Sequence, residues 1–484
     1  MKDLALKALE AVSRAGVSYA DARAIEIRDR EIGTKNGKVG HISGNESLGI
    51  GIRVLADGCW GFAGTDELTP QGIETAAGLA VRIARTGVRA RKEAVSLVPE
   101  EKYDATWVSP FRIDPFSISI DEQLGLLLAV DNELRRTKGV SLAETSMHFE
   151  RRRQVFVSTL GSLIDQTRYT AGAGCSALSY QDGEIQRRSY PNSFGGQYQL
   201  KGYELVEELG LLENAPRIAE EAVALHAADQ CPEGEFDLIL DSSQLGLQIH
   251  ESIGHPIELD RVLGSEANYA GMSFLTLDQL GRLRYGSEIV NVVCDARLAH
   301  GPGLGTFAFD DEGVPAQSTD IIRSGQFVGY MTSRETAARA GQSRSNGCMR
   351  ADGWTRLPLI RMTNVSLKPG AQSLDEVCAA DHAIYMETNR SWSIDDKRYN
   401  FQFGCEIGWE IRNGKRVRML KNPSYSGIST EFWNSCVAIS GAEHWTLWGV
   451  PNCGKGQPEQ VMGTGHGASP ARFQKIRVGS AYAG

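Results

Sequence analysis

The chain has 484 residues, 41% of them hydrophobic and 23% charged, which is typical of a globular protein with large buried cores. Its 60 acidic residues outnumber 51 basic ones, and the resulting net charge of −9 argues against a nucleic-acid-binding protein. No apolar run approaches the roughly 18 residues of a membrane span, and the N-terminus is amphipathic rather than a signal peptide. We therefore expect a cytoplasmic protein without a membrane or nucleic-acid partner.

The nine cysteines support the same location. They are scattered and odd in number, and none belongs to a CxxC pair. This pattern favours reduced thiols over a disulfide framework.

The first half of the sequence predicts helices packed on a mostly antiparallel sheet. Apolar residues recur at helical spacing over 3–15, 70–85 and 121–136, and one or two further helices are predicted in 203–228. Alternating segments predict strands at 22–28, 31–35, 38–43 and 47–55 and again through 142–200. Asn36-Gly37 predicts a two-residue hairpin turn.

A turn-rich segment at 231–234 is the best candidate domain boundary. We expect an α+β domain over 1–231 and a second domain over 232–484. Regular helix is scarce in the second domain, where strands are predicted at 289–295, 321–323, 326–330, 359–365, 384–388, 401–412 and 417–420. These strands predict a β-rich, barrel-like or curled sheet with one functional helix near its start.

That helix carries the most informative motif of the chain, His-Glu-Ser-Ile-Gly-His at 250–255. Two imidazoles and a carboxylate within six residues can supply two metal ligands, His250 and His255, and a general base, Glu251. A predicted strand at 236–240 and candidate N-cap side chains at Asp241, Ser242 and Ser243 precede it. A short motif of this kind also arises by chance, so the spacing alone leaves both interpretations open.

The spacing has a geometric consequence. Histidines five residues apart are separated by about 140° around a regular α-helix, against about 40° for a spacing of four. A π-type turn would bring the rings together. Alternatively, the helix ends at His255, because Gly254 is permissive and Pro256 biases the preceding residue away from helix. We predict distorted helix, or a helix end, between His250 and Pro256.

A catalytic zinc site commonly takes a third protein ligand. Cys453 is a candidate because Pro451 and nearby glycines predict a loop, where a thiol is less often mere core packing. His444 and His466 are rivals on chemistry alone, and a small buried hydrophobe is the usual role of a cysteine.

The motif and the segments at 310–313, 431–435, 451–458 and 466–467, with 49–54 earlier, resemble the TldD/PmbA metalloprotease family. The resemblance covers almost the whole chain in order and indicates the HExxxH-bearing branch. It implies one zinc per active subunit held by His250, His255 and Cys453, with Glu251 as general base. It also implies a catalytic chamber shared in a homodimer or in a heterodimer with a metal-free paralogue, formed with the domain at 1–231.

On this interpretation the protein hydrolyses peptide bonds in unfolded or extended polypeptides. His466, Lys455 and Asn452 are candidate donors to the developing oxyanion, without a ranking. Asp310 and Asp311 are either acceptors that orient a ligand imidazole or exposed loop acids, the second being preferred. The segment 431–435 is expected to support the structure near the cleft.

Two alternatives stay open at this point. The same constellation would serve a zinc hydrolase of small amides. A non-catalytic scaffold or regulatory subunit with a vestigial metal site is the other, although Glu251 argues against it, because a structural site needs no general base.

Overall fold

The computed structural model describes residues 1–480, which fold around three large β-sheets. Its α-helices in these residues are α1 (Lys2–Ser13), α2 (Pro70–Gly87), α3 (Ile120–Arg136), α4 (Glu204–Leu209), α5 (Leu211–Ala224), α6 (Ser242–Ile249), α7 (Leu259–Val262), α8 (Leu374–Cys378) and α9 (Ser429–Asn434). A π-helical turn, His250–Gly254, continues α6. Short 3-10 turns lie at Leu277–Gln279, Leu298–His300, Ala337–Ala340 and Ala442–His444.

The first sheet is built from the N-terminal part of the chain. Its strands are β1 (Tyr19–Lys35), β2 (Lys38–Ala56), β3 (Cys59–Thr65), β4 (Asp104–Val108), β5 (Val140–Ser158), β6 (Leu163–Gln181), β7 (Glu184–Tyr190) and β8 (Gln197–Gln199). They are ordered β3-β2-β1-β5-β6-β4, and β7 and β8 also pair with β6. All these pairings are antiparallel except β4 with β6. The predicted antiparallel α+β architecture is confirmed.

The hairpin around Asn36-Gly37 is longer than the sequence predicts. The sequence indicates two strands on each side of the turn, whereas β1 and β2 each run without a break. Asn36 and Gly37 have φ of 50° and 76°, as a two-residue hairpin turn requires. The predicted breaks are wrong. In β2, 38–46 is exposed, so polar residues there do not interrupt the strand.

The helices cover the first sheet in two groups. Helices α1 and α2 form one apolar cluster with β1 and β2, and α3, α4 and α5 form another with β5 and β6. Thr69 and Ser119 cap α2 and α3 by accepting from the backbone N–H groups of the first turn. Gly210, in left-handed geometry, separates α4 from α5 and settles the question of one or two helices.

The second half contains the remaining strands: β9 (Asp229–Gln230), β10 (Gly234–Leu240), β11 (Val292–Asp295), β12 (Ser318–Arg323), β13 (Gln326–Phe327), β14 (Met349–Arg350), β15 (Leu359–Ile360), β16 (Asn364–Leu367), β17 (His382–Ile394), β18 (Asn400–Arg412), β19 (Lys415–Lys421), β20 (Pro423–Ile428), β21 (Cys436–Ile439), β22 (Thr446–Lys455), β23 (Gln460–Ala468) and β24 (Ala471–Ser480). Strands β17, β10, β24, β20 and β18 close into a five-stranded barrel, which confirms the barrel-like prediction. A six-stranded sheet, ordered β13-β12-β11-β16-β23-β22, lies beside it.

A buried acidic loop joins the two halves. Asp311 accepts a hydrogen bond from Gln154 at 2.7 Å, and Glu312 accepts one from Arg53 at 3.0 Å. Asp310 accepts from three backbone N–H groups of its own loop and of β14. The preferred interpretation of Asp310 and Asp311 as exposed loop acids is therefore wrong, because both are buried. Asp311 binds across to the first sheet and Asp310 binds the backbone of its own loop and of β14.

The sequence predicts neither a membrane-spanning helix nor a disulfide, and the described residues bear on both. None of their helices is long and apolar enough to cross a membrane. All nine cysteines, which lie within 1–480, are free thiols. The division of the chain at 231 stays a prediction.

Candidate metal centre

The helix that carries the motif begins directly after β10. Asp241 caps α6 by accepting from the backbone N–H of Ser243 at 2.8 Å and of Gln244 at 3.3 Å. The helix then widens, and the N–H of His255 donates to the carbonyl of His250 at 3.1 Å, five residues back. The predicted distortion is confirmed. The wider turn brings the two rings to a centroid separation of 4.9 Å, edge to face.

Packing holds this turn in place. Trp433 donates from Nε1 to Ser252 Oγ at 2.9 Å, and the Tyr285 hydroxyl donates to the Ser252 carbonyl. A Cβ on Gly254 would lie 2.1 Å from Met362 Sδ, so the turn has no room for a side chain there. The expectation that 431–435 supports the cleft agrees with the contact of Trp433.

Cys453 reaches the site from β22. Its Sγ lies 3.7 Å from His255 Nε2, and ligand atoms of His250, His255 and Cys453 all lie within 4.8 Å of one another. The predicted loop around Cys453 is wrong, because the residue pairs with Met462 in an antiparallel ladder and is buried. A bulge between Val450 and Cys453 accommodates the intervening proline within the strand.

The donor set fits a zinc ion. Typical Zn–N and Zn–S bonds place tetrahedral ligand atoms about 3.3–3.6 Å apart, close to the observed sulfur–nitrogen distance. Burial lowers the pKa of His250 to about 4 and holds the pKa of His255 well below its usual value. Both imidazoles are therefore neutral near pH 7, which is the form that binds a metal.

Each imidazole has a buried partner behind it. His255 Nδ1 lies 3.1 Å from Glu258 Oε2, and His250 Nδ1 lies 2.8 Å from His466 Nε2. Carboxylates and other acceptors in this position commonly orient metal-binding imidazoles. His466 therefore lies behind His250 rather than beside the ligand atoms, and His444, on a 3-10 turn, does not join the cluster.

Lys455 forms ion pairs with the acids behind His255. Its fully buried ammonium lies 2.8 Å from Asp260, 3.2 Å from Glu266 and 3.3 Å from Glu258. Burial alone lowers the pKa of Lys455, but these carboxylates outweigh it and hold the pKa above its ordinary value. Of the three oxyanion donors considered from the sequence, Lys455 and His466 are thus engaged elsewhere. Asn452 is left, exposed on β22.

Glu251 is held by an arginine from the barrel. Its Oε2 accepts from Arg398 Nη1 at 2.6 Å, and the side chains are 6% and 16% exposed. Arg398 lies in the β17–β18 connection with φ of 63°, and its Nε has no hydrogen-bond partner within the part of the chain that the structure describes. Strained backbone of this kind is concentrated at functional sites.

The sequence reasoning missed Glu258, Arg398 and the contact between His466 and His250. Glu258 had a usable signal, because it follows His255 by three residues and so lies within reach of the same ring. Arg398 had none, since 147 positions separate it from Glu251.

Comparison with known proteins identifies the family of the chain. A sequence model described as the PmbA/TldA metallopeptidase C-terminal domain matches residues 233–480, and models of domain 1 and the central domain match 20–84 and 113–228. The chain belongs to the PmbA/TldA metallopeptidase family. The resemblance found in the sequence is thereby confirmed, while membership of the HExxxH-bearing branch stays a prediction.

The curated relatives of this PmbA/TldA chain include the following two. A metalloprotease of Methanocaldococcus jannaschii is 28% identical over 96% of this chain and 98% of its own length. A zinc metalloprotease TldD homolog of Saccharolobus solfataricus is 29% identical over 51% of this chain and 52% of its own length.

Solved structures with the same fold include the following two. A Thermotoga maritima protein, described as a candidate modulator of a DNA gyrase, is 18% identical, with a TM-score of 0.76 over 98% of this chain and 99% of its own. TldE from Thermococcus kodakarensis is 16% identical, with a TM-score of 0.71 over 98% of this chain and all of its own. At these identities the likeness establishes the fold alone.

Proposed function

We propose that this chain is a zinc metallopeptidase that hydrolyses peptide bonds in unfolded or extended polypeptides. The observation that carries the proposal is the convergence of ligand atoms of His250, His255 and Cys453 within 4.8 Å, with Glu251 next to His250 in the chain. The curated names of the relatives support both the metal and the peptidase activity. A bound zinc would act as a Lewis acid that lowers the pKa of a water toward about 7 and polarises a carbonyl.

The residues of the chain divide the remaining work. Glu251 accepts a proton from the attacking water and returns it to the leaving amine. Since its Oε2 already accepts from Arg398, the proton is held at Oε1. Arg398 fixes the carboxylate in one orientation, and a charge-assisted bond of this length is among the stronger hydrogen bonds in proteins.

The position of Cys453 favours an extended substrate. β22, which carries it, is an edge strand of the six-stranded sheet. The end of β22 away from Cys453 is capped by Gln197. Its side chain donates to the Leu447 carbonyl and accepts from the Gly449 N–H, each at 2.9 Å. We propose that a polypeptide adds as a strand along the end that carries Cys453, through backbone groups other than the Cys453 carbonyl, which accepts from Arg361 at 2.6 Å. If a compact protein were cut as fast as its denatured form, this part would fail.

Partner and location are parts of the same proposal. We propose a homodimer or a heterodimer with a paralogue, and the likeness to TldE is in keeping with the second. The free cysteines support the cytoplasm. Native mass measurement, alone and with a paralogue, tests the assembly.

The deciding experiment compares two variants. Cys453→Ser should lose zinc, measured by metal analysis. Glu251→Gln should keep zinc and fold but lose hydrolysis of an unfolded protein such as reduced casein. Unchanged hydrolysis in Glu251→Gln would contradict the role of the base, and faster hydrolysis of small amides than of casein would favour the small-amide alternative. A native protein that binds zinc without hydrolysing either would favour the scaffold.

A further inference from the structure

The ring of His466 forms one end of a buried chain that leads to the first histidine of the motif. His466 Nδ1 lies 3.1 Å from the Val365 carbonyl, which can only accept, so Nδ1 carries the proton. In a neutral ring Nε2 is then an acceptor. That Nε2 lies 2.8 Å from His250 Nδ1 and 3.0 Å from Thr464 Oγ1.

The contact between the rings fixes the tautomer of His250. Two unprotonated nitrogens at 2.8 Å would repel each other, so the proton between them belongs to His250 Nδ1. The lone pair of His250 is therefore on Nε2. His255 has the same arrangement, because its Nδ1 is bonded to Glu258 and its Nε2 faces Cys453.

Building on the proposed zinc site, we propose that His466 is a positioning residue that prepares His250 to bind metal through Nε2. Val365 sets the protonation of His466, and His466 in turn sets the tautomer and the orientation of His250. The whole chain is buried, and His466 and Thr464 lie two residues apart on the same face of β23. A metal bound there would thus meet a ring whose lone pair is already free on Nε2.

Zinc affinity, measured by competition with a chelator, tests the assignment. Thr464 Oγ1 also lies 3.3 Å from His250 Nδ1. His466→Ala combined with Thr464→Val therefore removes both partners of His250 Nδ1 and should weaken zinc binding roughly 10- to 100-fold. His466→Gln keeps an acceptor oxygen and should restore most of the affinity. His300→Ala is the matched control, because His300 bonds to Ser366 on β16 and not to a ligand, and it should bind zinc like the native protein.

A second measurement uses the native protein, so it does not require any variant to fold. In metal-free native protein with 15N-labelled histidine, His250 should show its proton on Nδ1. A proton on Nε2 would overturn the proposal, and so would native zinc affinity in the folded double variant.

Variants of the proposed zinc ligands distinguish a wrong role for His466 from a wrong metal site. If Cys453→Ser and His255→Ala lose zinc while the double variant does not, only the role of His466 is wrong. If those two variants bind zinc like the native protein, the metal site itself is wrong.

Discussion

Replacing Lys455 by Met tests the charge balance behind the metal site. Lys455 Nζ contacts three carboxylates at 2.8–3.3 Å and donates to the Ile360 carbonyl at 2.6 Å, with its side chain fully buried. Methionine keeps most of the apolar stem, so the loss is mainly one of charge. Only Arg261, 3.0 Å from Glu266, then remains as a direct ion-pair partner of these acids in the described structure. Removing one partner of a buried ion pair typically costs about 3–5 kcal/mol, which we expect here.

The loss of stability in Lys455→Met should depend on pH. Burial raises the pKa of Asp260 and Glu266, and Lys455 opposes this rise. Without Lys455 both pKa values should rise further, so the folded variant binds protons that the unfolded chain releases above about pH 4. Its stability deficit should therefore grow as the pH rises from about 4 to 7.

Urea unfolding of the metal-free protein measures the deficit. Lys415→Met, at an exposed position of β19, is the control and should change stability by less than about 0.5 kcal/mol. Adding Glu258→Gln to Lys455→Met removes one uncompensated acid and should recover on the order of 1 kcal/mol. A Lys455→Met variant as stable as the control at pH 7 would refute the reasoning.

Three further predictions concern the motif and its surroundings. Gly254→Ala should cost about 1–3 kcal/mol in urea unfolding because its Cβ meets buried Met362, whereas Gly246→Ala, whose nearest contact is 3.6 Å, should not destabilise. Arg398→Met should lower kcat/KM roughly 10- to 100-fold with zinc content unchanged, and equal kcat/KM would contradict its role. Burial lowers the pKa of His250 to about 4, so between about pH 6.5 and pH 4 the unfolded chain binds a proton at this histidine that the folded chain does not. The free energy of unfolding of the metal-free protein should therefore fall by up to about 3 kcal/mol as the pH falls from about 7 to 4. A falling urea midpoint would show this loss.

Much of the first half could be predicted because its signals are local. The helix at 70–85 has its cap and its apolar spacing within one short segment, and α2 occupies Pro70–Gly87. The strands were harder. Exposed strands such as β2 lack the alternation that burial imposes, and β20, β21, β23 and β24 were not predicted at all.

In the site, features that depend on residues close together in the sequence could be predicted, and features that depend on distant residues could not. The geometry of His250 and His255 depends on one helical turn, so their spacing alone predicted its distortion. The strand position of Cys453 depends on pairing with β23 and on a bulge that tolerates Pro451, and neither feature is visible as apolar alternation. Arg398 depends on where the barrel closes, which no local pattern encodes.

Two residues of β22 contact two residues at the end of the motif helix, pair by pair. Cys453 and Lys455 are two apart on β22 and share a face, because side chains alternate along a strand. His255 and Glu258 are three apart around the end of the widened turn, and the contacts pair cysteine with histidine and lysine with glutamate. A slip of one residue in β22 would turn both side chains to the opposite face and leave Glu258, Asp260 and Glu266 without their ammonium. The buried ion pairs therefore hold the strand in the register that places the sulfur opposite the imidazole.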